Sequence, residues 1–148
     1  QFLFKTGVRV SELINIRKND CRARNGYVRI IIMGKGNKER EVVIPSELYS
    51  AIRNEYQGKR WLFESKSGKP LNRHNIKLQI KKAGANAGFP QITPHMLRHA
   101  RATDMLLNKN LSLKAVSKYL GHSSTATTAD MYIHDEFDAL SLFRRDRI

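Results

Sequence analysis

Two runs rich in β-branched residues, 27–33 and 39–44, are parted only by Gly34-Lys35-Gly36-Asn37. Such runs favour extended backbone, and a connection this short forces them antiparallel. Two glycines supply positive φ cheaply, so the spacing predicts a hairpin, closed by Pro45, with Lys35 displayed at its tip. Trp61-Leu62-Phe63 is a short apolar run expected to add a third strand beside it. The remaining periodic segments are helical. The expected fold is therefore α+β, mainly α-helical, with a small three-stranded antiparallel sheet at one edge.

The helices are bounded by local chemistry. A first helix stops at Thr6-Gly7, and a short one over 11–16 turns Leu13 and Ile16 inward. Ser46 caps a helix to about residue 56 with Leu48, Ile52 and Tyr56 as its buried stripe. Asn72 caps another to about 87, facing Ile76, Ile80 and Ala83 inward. Thr93 followed by Pro94 reads as an N-cap and first-turn proline, opening a helix to about 108 with Leu97, Met105 and Leu106 among its apolar residues. Ser112 caps the next, over 113–120, which ends at Gly121. A polar turn over 123–128 leads to a short helix carrying Tyr132, and Phe137, Leu140 and Phe143 recur at helical spacing beyond it. No repeat, low-complexity segment or linker interrupts the chain, so one domain over 1–148 is expected. It opens Gln1-Phe2-Leu3-Phe4 without a methionine, as a piece of a longer protein would.

Charge narrows the partner. Lys+Arg number 27 against 13 Asp+Glu, a formal net charge of +14. Such self-repulsion is ordinarily tolerated because the partner is a polyanion, and double-stranded DNA leads. The lone Cys21 excludes an internal disulfide and fits a reducing cytoplasm. The sequence has no apolar run of membrane-spanning length and no signal-peptide pattern.

The chemistry gathers at the helix opened by Thr93-Pro94. His95 and Arg98 stand three apart and share a face. Free backbone N–H groups and the helix dipole already favour an anion there. A guanidinium, an imidazole and a helix N-terminus aimed one way make a phosphate site. His95 and His99 have the spacing of a zinc pair, but that motif needs Glu directly after the first His, and Met96 occupies the place. Arg98 would also repel a divalent cation, and the site offers no hard oxygen ligands. No metal, cofactor or small-molecule substrate is expected.

These segments match, in order, the catalytic domain of the tyrosine recombinases, the phage integrase family. Thr6-Gly7-Val8-Arg9-Val10-Ser11-Glu12-Leu13 resembles the segment of its first catalytic arginine, and Gly34-Lys35-Gly36-Asn37-Lys38-Glu39-Arg40 its lysine hairpin. His95-Met96-Leu97-Arg98-His99 is similar to its H-x-L-R-H box, Leu120-Gly121-His122 to its L-G-H box, and Tyr132 stands where its nucleophile stands. The interval from His122 to Tyr132 lies within the family's range. The family's N-terminal core-binding domain has no counterpart among these residues.

The resemblance implies strand cleavage and rejoining through a 3′-phosphotyrosyl link, without nucleotide cofactor. Tyr132 is then the nucleophile; Arg9 and Arg98 hold the non-bridging oxygens. His95 acts as general base or proton shuttle, His122 donates to a non-bridging oxygen, and Lys35 protonates the departing 5′-oxygen. Glu12 either orients the basic residues or is a helix-surface acid, and His99 takes a supporting position. Lys38, Arg40, Lys77, Lys81 and Lys82 are expected to meet the DNA backbone. The family assembles as a tetramer on DNA and exchanges its C-terminal segment between subunits; free in solution a monomer is expected. An integrase of a phage or other mobile element, cytoplasmic and nucleoid-associated in a bacterium, leads over two alternatives: a chromosome-dimer-resolving recombinase and a non-catalytic DNA-binding module.

Overall fold

The computed structural model describes residues 1–122 and Ala126. Tyr132, the helix expected to carry it and the 137–143 apolar stripe lie outside the described residues. The fold is mostly helical with one three-stranded antiparallel sheet, in the order α1 (Phe2–Thr6), α2 (Val10–Leu13), β1 (Cys21–Arg24), β2 (Tyr27–Met33), β3 (Glu39–Pro45), α3 (Ser46–Tyr56), α4 (Arg73–Asn86), α5 (Pro94–Thr103) and α6 (Leu113–Leu120). A π-helical turn, Asp104–Asn108, prolongs α5, so the helix expected to about 108 changes winding in its last turns.

The sheet runs β1-β2-β3. Alternation places Val28, Ile30, Ile32, Val42 and Ile44 inside, each at most 1% exposed, because successive strand side chains point to opposite faces. The third strand is β1, not the 61–63 run. Asn25 and Gly26, both at positive φ, make a two-residue turn that brings Arg24 opposite Tyr27; Asn-Gly is a strong hairpin signal. Residue 61 cannot extend a sheet, because the Glu64 carboxylate takes the backbone N–H groups of Lys59, Arg60 and Trp61 at 3.1, 2.9 and 2.9 Å. Trp61 forms only an isolated bridge with Arg17, and Arg17 and Arg60 each stack on its ring.

Two apolar clusters hold the elements together. The larger joins Phe2, Leu3, Val8, Leu13 and Ile16 to the inner sheet face, Ile52, Leu62, Phe63 and Ile76. The smaller joins Ala102 and Met105 to Val116 and Leu120, and Tyr119 packs against both. Leu13 and Ile16 are buried as expected, but α2 ends at Leu13, and the Ile16 carbonyl accepts the Leu62 N–H at 2.8 Å. In α4 the inward position after Ile80 belongs to Gly84 rather than Ala83, which is exposed. A Cβ on Gly84 would stand 2.2 Å from Ile92 and 2.5 Å from the Phe89 carbonyl, so only glycine lets the following loop close on the helix.

Candidate active site

Gly7 sets the first arginine. It ends α1 in the left-handed region (φ 64°), and a Cβ there would lie 2.6 Å from Leu120. The turn thus presses the start of α2 against the end of α6, two segments far apart in sequence. Arg9 follows as the N-cap of α2 in extended backbone. Its N–H donates to Glu12 Oε2 at 2.7 Å and its Nη1 to Glu12 Oε1 at 3.1 Å. Glu12, at the third helical position, reaches back as in half a capping box, and its side chain is only 5% exposed against 42% for Arg9.

Arg98 is placed by α5. Thr93 Oγ1 accepts the Met96 N–H at 3.2 Å and Pro94 occupies the first turn, as the sequence predicts. The Arg98 residue is 4% exposed, and its amino nitrogens donate to the Gly7 carbonyl at 2.5 Å and the Leu120 carbonyl at 2.7 Å. This one guanidinium ties the turn before Arg9 to the turn before His122. Burial, then the neighbouring Arg9 charge, lowers its pKa to about 10.

His122 stands just past Gly121, the left-handed cap of α6 (φ 68°), and its N–H donates to the Ser117 carbonyl at 3.0 Å. Its pKa is lowered to about 4, first by burial and then by Arg98, Arg9, Arg40 and His99. The imidazole is therefore neutral at pH 7, with one ring N–H to donate. His95 and His99 lie edge to face, centroids 4.1 Å apart, and their Nε2 atoms share a hydrogen bond, so one ring donates and the other accepts.

Two cavities flank Arg9. One, of about 430 Å³, is lined by Arg9, Thr93, His95, Arg98, Lys77 and Lys81. The other, of about 760 Å³, is lined by Arg9, Lys35, Lys38, Arg40, Lys118 and His122, among others. Arg9 is their common wall. The expected cluster is thus brought to one region for Arg9, Lys35, His95, Arg98 and His122, while Tyr132 lies outside the described residues. Lys35 and Lys38 are exposed on the hairpin turn, where Gly36 and Asn37, rather than two glycines, take positive φ. Lys82 is exposed but on neither wall. Lys118 lines the same cavity as His122, four residues before it, and no motif in the sequence singles it out. Among the described residues no group of three or more His, Cys, Asp or Glu is arranged to hold a metal ion.

The Arg40 side chain is 10% exposed and turned onto Glu12, at 2.9 and 2.7 Å. Glu12 is accordingly not a helix-surface acid: its carboxylate is buried and accepts from both Arg9 and Arg40. Burial pushes its pKa up, but Arg40's hydrogen bonds, the Arg9 N–H and both guanidinium charges outweigh that, and the net shift is downward.

The family model described as the phage integrase family matches residues 1–138. The chain is 38% identical over 146 residues to the tyrosine recombinase XerD of Yersinia pestis, an alignment covering 90% of the chain and 48% of that protein. The fold is similar to that of XerH site-specific recombinase bound to its palindromic difH substrate in a post-cleavage complex (TM-score 0.76, 31% identity, 90% of this chain and 40% of that one). It is also similar to XerA recombinase (TM-score 0.74, 32% identity, 99% of this chain and 55% of that one). The chain therefore spans about half the length of the proteins it matches.

Proposed function

The chain belongs to the phage integrase family of tyrosine recombinases, and from that premise we propose that it is the catalytic domain of a site-specific DNA recombinase. The observation that carries this is the position of Arg9 on the wall common to the cavity of His95 and Arg98 and the cavity of Lys35 and His122. A backbone phosphate set against Arg9 is within the reach of groups from four segments.

In the reaction, Tyr132 Oη attacks the scissile phosphorus, the bond to the 5′-oxygen breaks, and the 3′-phosphate stays on the tyrosine. A phenol with a pKa near ~10 is protonated at neutral pH, so its proton passes to His95. His99 fixes that ring through the shared hydrogen bond. Charge accumulating on the non-bridging oxygens meets Arg9, Arg98 and the neutral His122, and fixed donors of this kind supply much of the rate. Lys35 gives its proton to the leaving 5′-oxygen. A 5′-hydroxyl from a second strand reverses the step, so the phosphodiester is conserved and no nucleotide cofactor is consumed. Lys77 and Lys81 extend the basic wall toward neighbouring phosphates. The working assembly is a tetramer on DNA, built from free monomers, in a bacterial cytoplasm.

Two settings fit this chemistry: a mobile element's integrase and a chromosome-dimer-resolving recombinase. The identity to XerD supports the second, and cleavage of a chromosomal resolution site against element ends separates them. For the activity itself, a nicked suicide duplex carrying a recombination site traps the covalent intermediate. Wild type gives a denaturant-resistant adduct and Tyr132→Phe none. An adduct in the Phe variant would move the nucleophile elsewhere.

A further inference from the structure

Arg40 lies on β3, on the same hairpin as Lys35, yet its nitrogens all face the protein. Nη1 and Nη2 form a parallel pair with the Glu12 carboxylate, and Nε donates to the Tyr119 carbonyl at 3.0 Å. The fork-to-fork pairing fixes direction as well as distance. Glu12 in turn holds the backbone and guanidinium of Arg9. On its other side Arg40 packs on Gly121, where an added Cβ would stand 3.1 Å from its Cδ and Nη1. One side chain of the hairpin whose turn carries Lys35 therefore touches both the carboxylate that holds Arg9 and the helix end that precedes His122.

We infer that Arg40 is a positioning residue: it sets Arg9, the Lys35 hairpin and His122 in register with one another, and it does not bind DNA. The inference rests on the recombinase reading for its effect on rate, but its geometric core does not need that reading. Lysine cannot replace it, because an ammonium is a point charge and cannot span both carboxylate oxygens and a carbonyl in fixed directions.

The test uses Arg40→Lys, Arg40→Gln, Glu12→Gln and the Arg40→Gln/Glu12→Gln double variant, with three readouts. On DNA, duplex affinity and its salt slope stay at the wild-type values for every variant. At saturating suicide duplex, adduct formation by Arg40→Lys falls on the order of 10²-fold, the scale of an ångström of misplacement. The double variant is no slower than the worse single one, since the two residues act as a unit. Without DNA, the His122 ring is titrated by NMR. Burial is the first cause of its low pKa, followed by the charges of Arg98 on α5, Arg9 at the start of α2 and Arg40 on β3, and by His99 on α5. Arg40→Gln raises it from about 4, while the charge-retaining Arg40→Lys leaves it low. A weaker affinity with a salt slope reduced by about one phosphate, at unchanged saturated rate, would make Arg40 a DNA contact and overturn the inference. So would additive losses in the double variant, or a His122 titration unmoved in Arg40→Gln. Absence of adduct from wild type would refute the recombinase reading alone, leaving the titration to decide the role of Arg40. Should Arg40→Gln not fold, the rate and affinity of Arg40→Lys decide it.

Discussion

Lysine at position 98 separates two jobs that a guanidinium performs at once. The Arg98 residue is 4% exposed and donates to two main-chain carbonyls, of Gly7 and Leu120, on different elements. Hydrogen bonds from a charged donor contribute about 1.5–3 kcal/mol each. A lysine offers one nitrogen on a shorter side chain in place of the two amino nitrogens that Arg98 uses, so at least one of these buried bonds is lengthened or lost. Burial already lowers the pKa of Arg98, and a lysine in that place is pushed down too, toward its neutral form. The expected loss is therefore roughly 2–3 kcal/mol of stability, or roughly 4–12 °C in Tm for a chain of this size. Arg9→Lys is the control. Its side chain is 42% exposed, its backbone bond to Glu12 survives, and a surface ion pair contributes about 1 kcal/mol or less. Both variants lose on the order of 10²-fold or more in cleavage, but only Arg98→Lys melts early. Urea and thermal unfolding of the two proteins are the assay. Equal midpoints for wild type and Arg98→Lys, or equal losses for the two variants, would refute the assignment of a structural bridge to Arg98.

Gly7→Ala strains a left-handed residue and drives a Cβ to 2.6 Å from Leu120, so it costs about 1–3 kcal/mol by urea denaturation; a midpoint within error of wild type would contradict the close approach. His122 supplies a pH dependence. Its folded pKa of about 4 lies below the unfolded value near ~6.5, so stability is complete above about pH 6.5 and falls as pH drops toward about 4. The denaturation midpoint of wild type between pH 7 and 5 should fall more than that of His122→Asn, and parallel curves would sink the assignment. Lys35→Ala slows cleavage of an ordinary phosphodiester but not of a substrate with sulfur at the 5′-bridging position, because a thiolate leaves without a proton; equal slowing on both in a gel assay would remove Lys35 from the leaving-group role.

What the sequence made legible was decided by short-range chemistry. Thr93 with Pro94, Ser112, Asn72 and Gly121 act on atoms two to four residues away, and their helices begin or end where expected. The two strands of the hairpin were legible from their β-branched content and the short turn between them. Composition alone was a poorer guide than these local caps. The Trp61 run has the composition of a strand, but Glu64 takes the Trp61 N–H and the Ile16 carbonyl takes the Leu62 N–H. The Asn25-Gly26 turn was local and went unused, which misplaced the third strand. The direction in which Arg40 turns was not legible, because its partners, Glu12 and the Tyr119 carbonyl, are distant in sequence and leave no periodic trace. The place of Arg98 in the first turns of α5 was legible, whereas its hold on Gly7 and Leu120 was not.

The central claim is that Arg9 acts on the charge of the scissile phosphate. A substrate carrying a methylphosphonate at the cleavage position lacks one negative non-bridging oxygen and is otherwise nearly the same size. The ratio of single-turnover rates for wild type and Arg9→Ala, measured on both substrates, tests the claim with the least intervening assumption. The account predicts a loss on the order of 10²-fold or more on the phosphodiester and a much smaller one on the methylphosphonate. An equal loss on both would contradict it, for Arg9 would then serve the fold or the duplex at large and not the reacting phosphate.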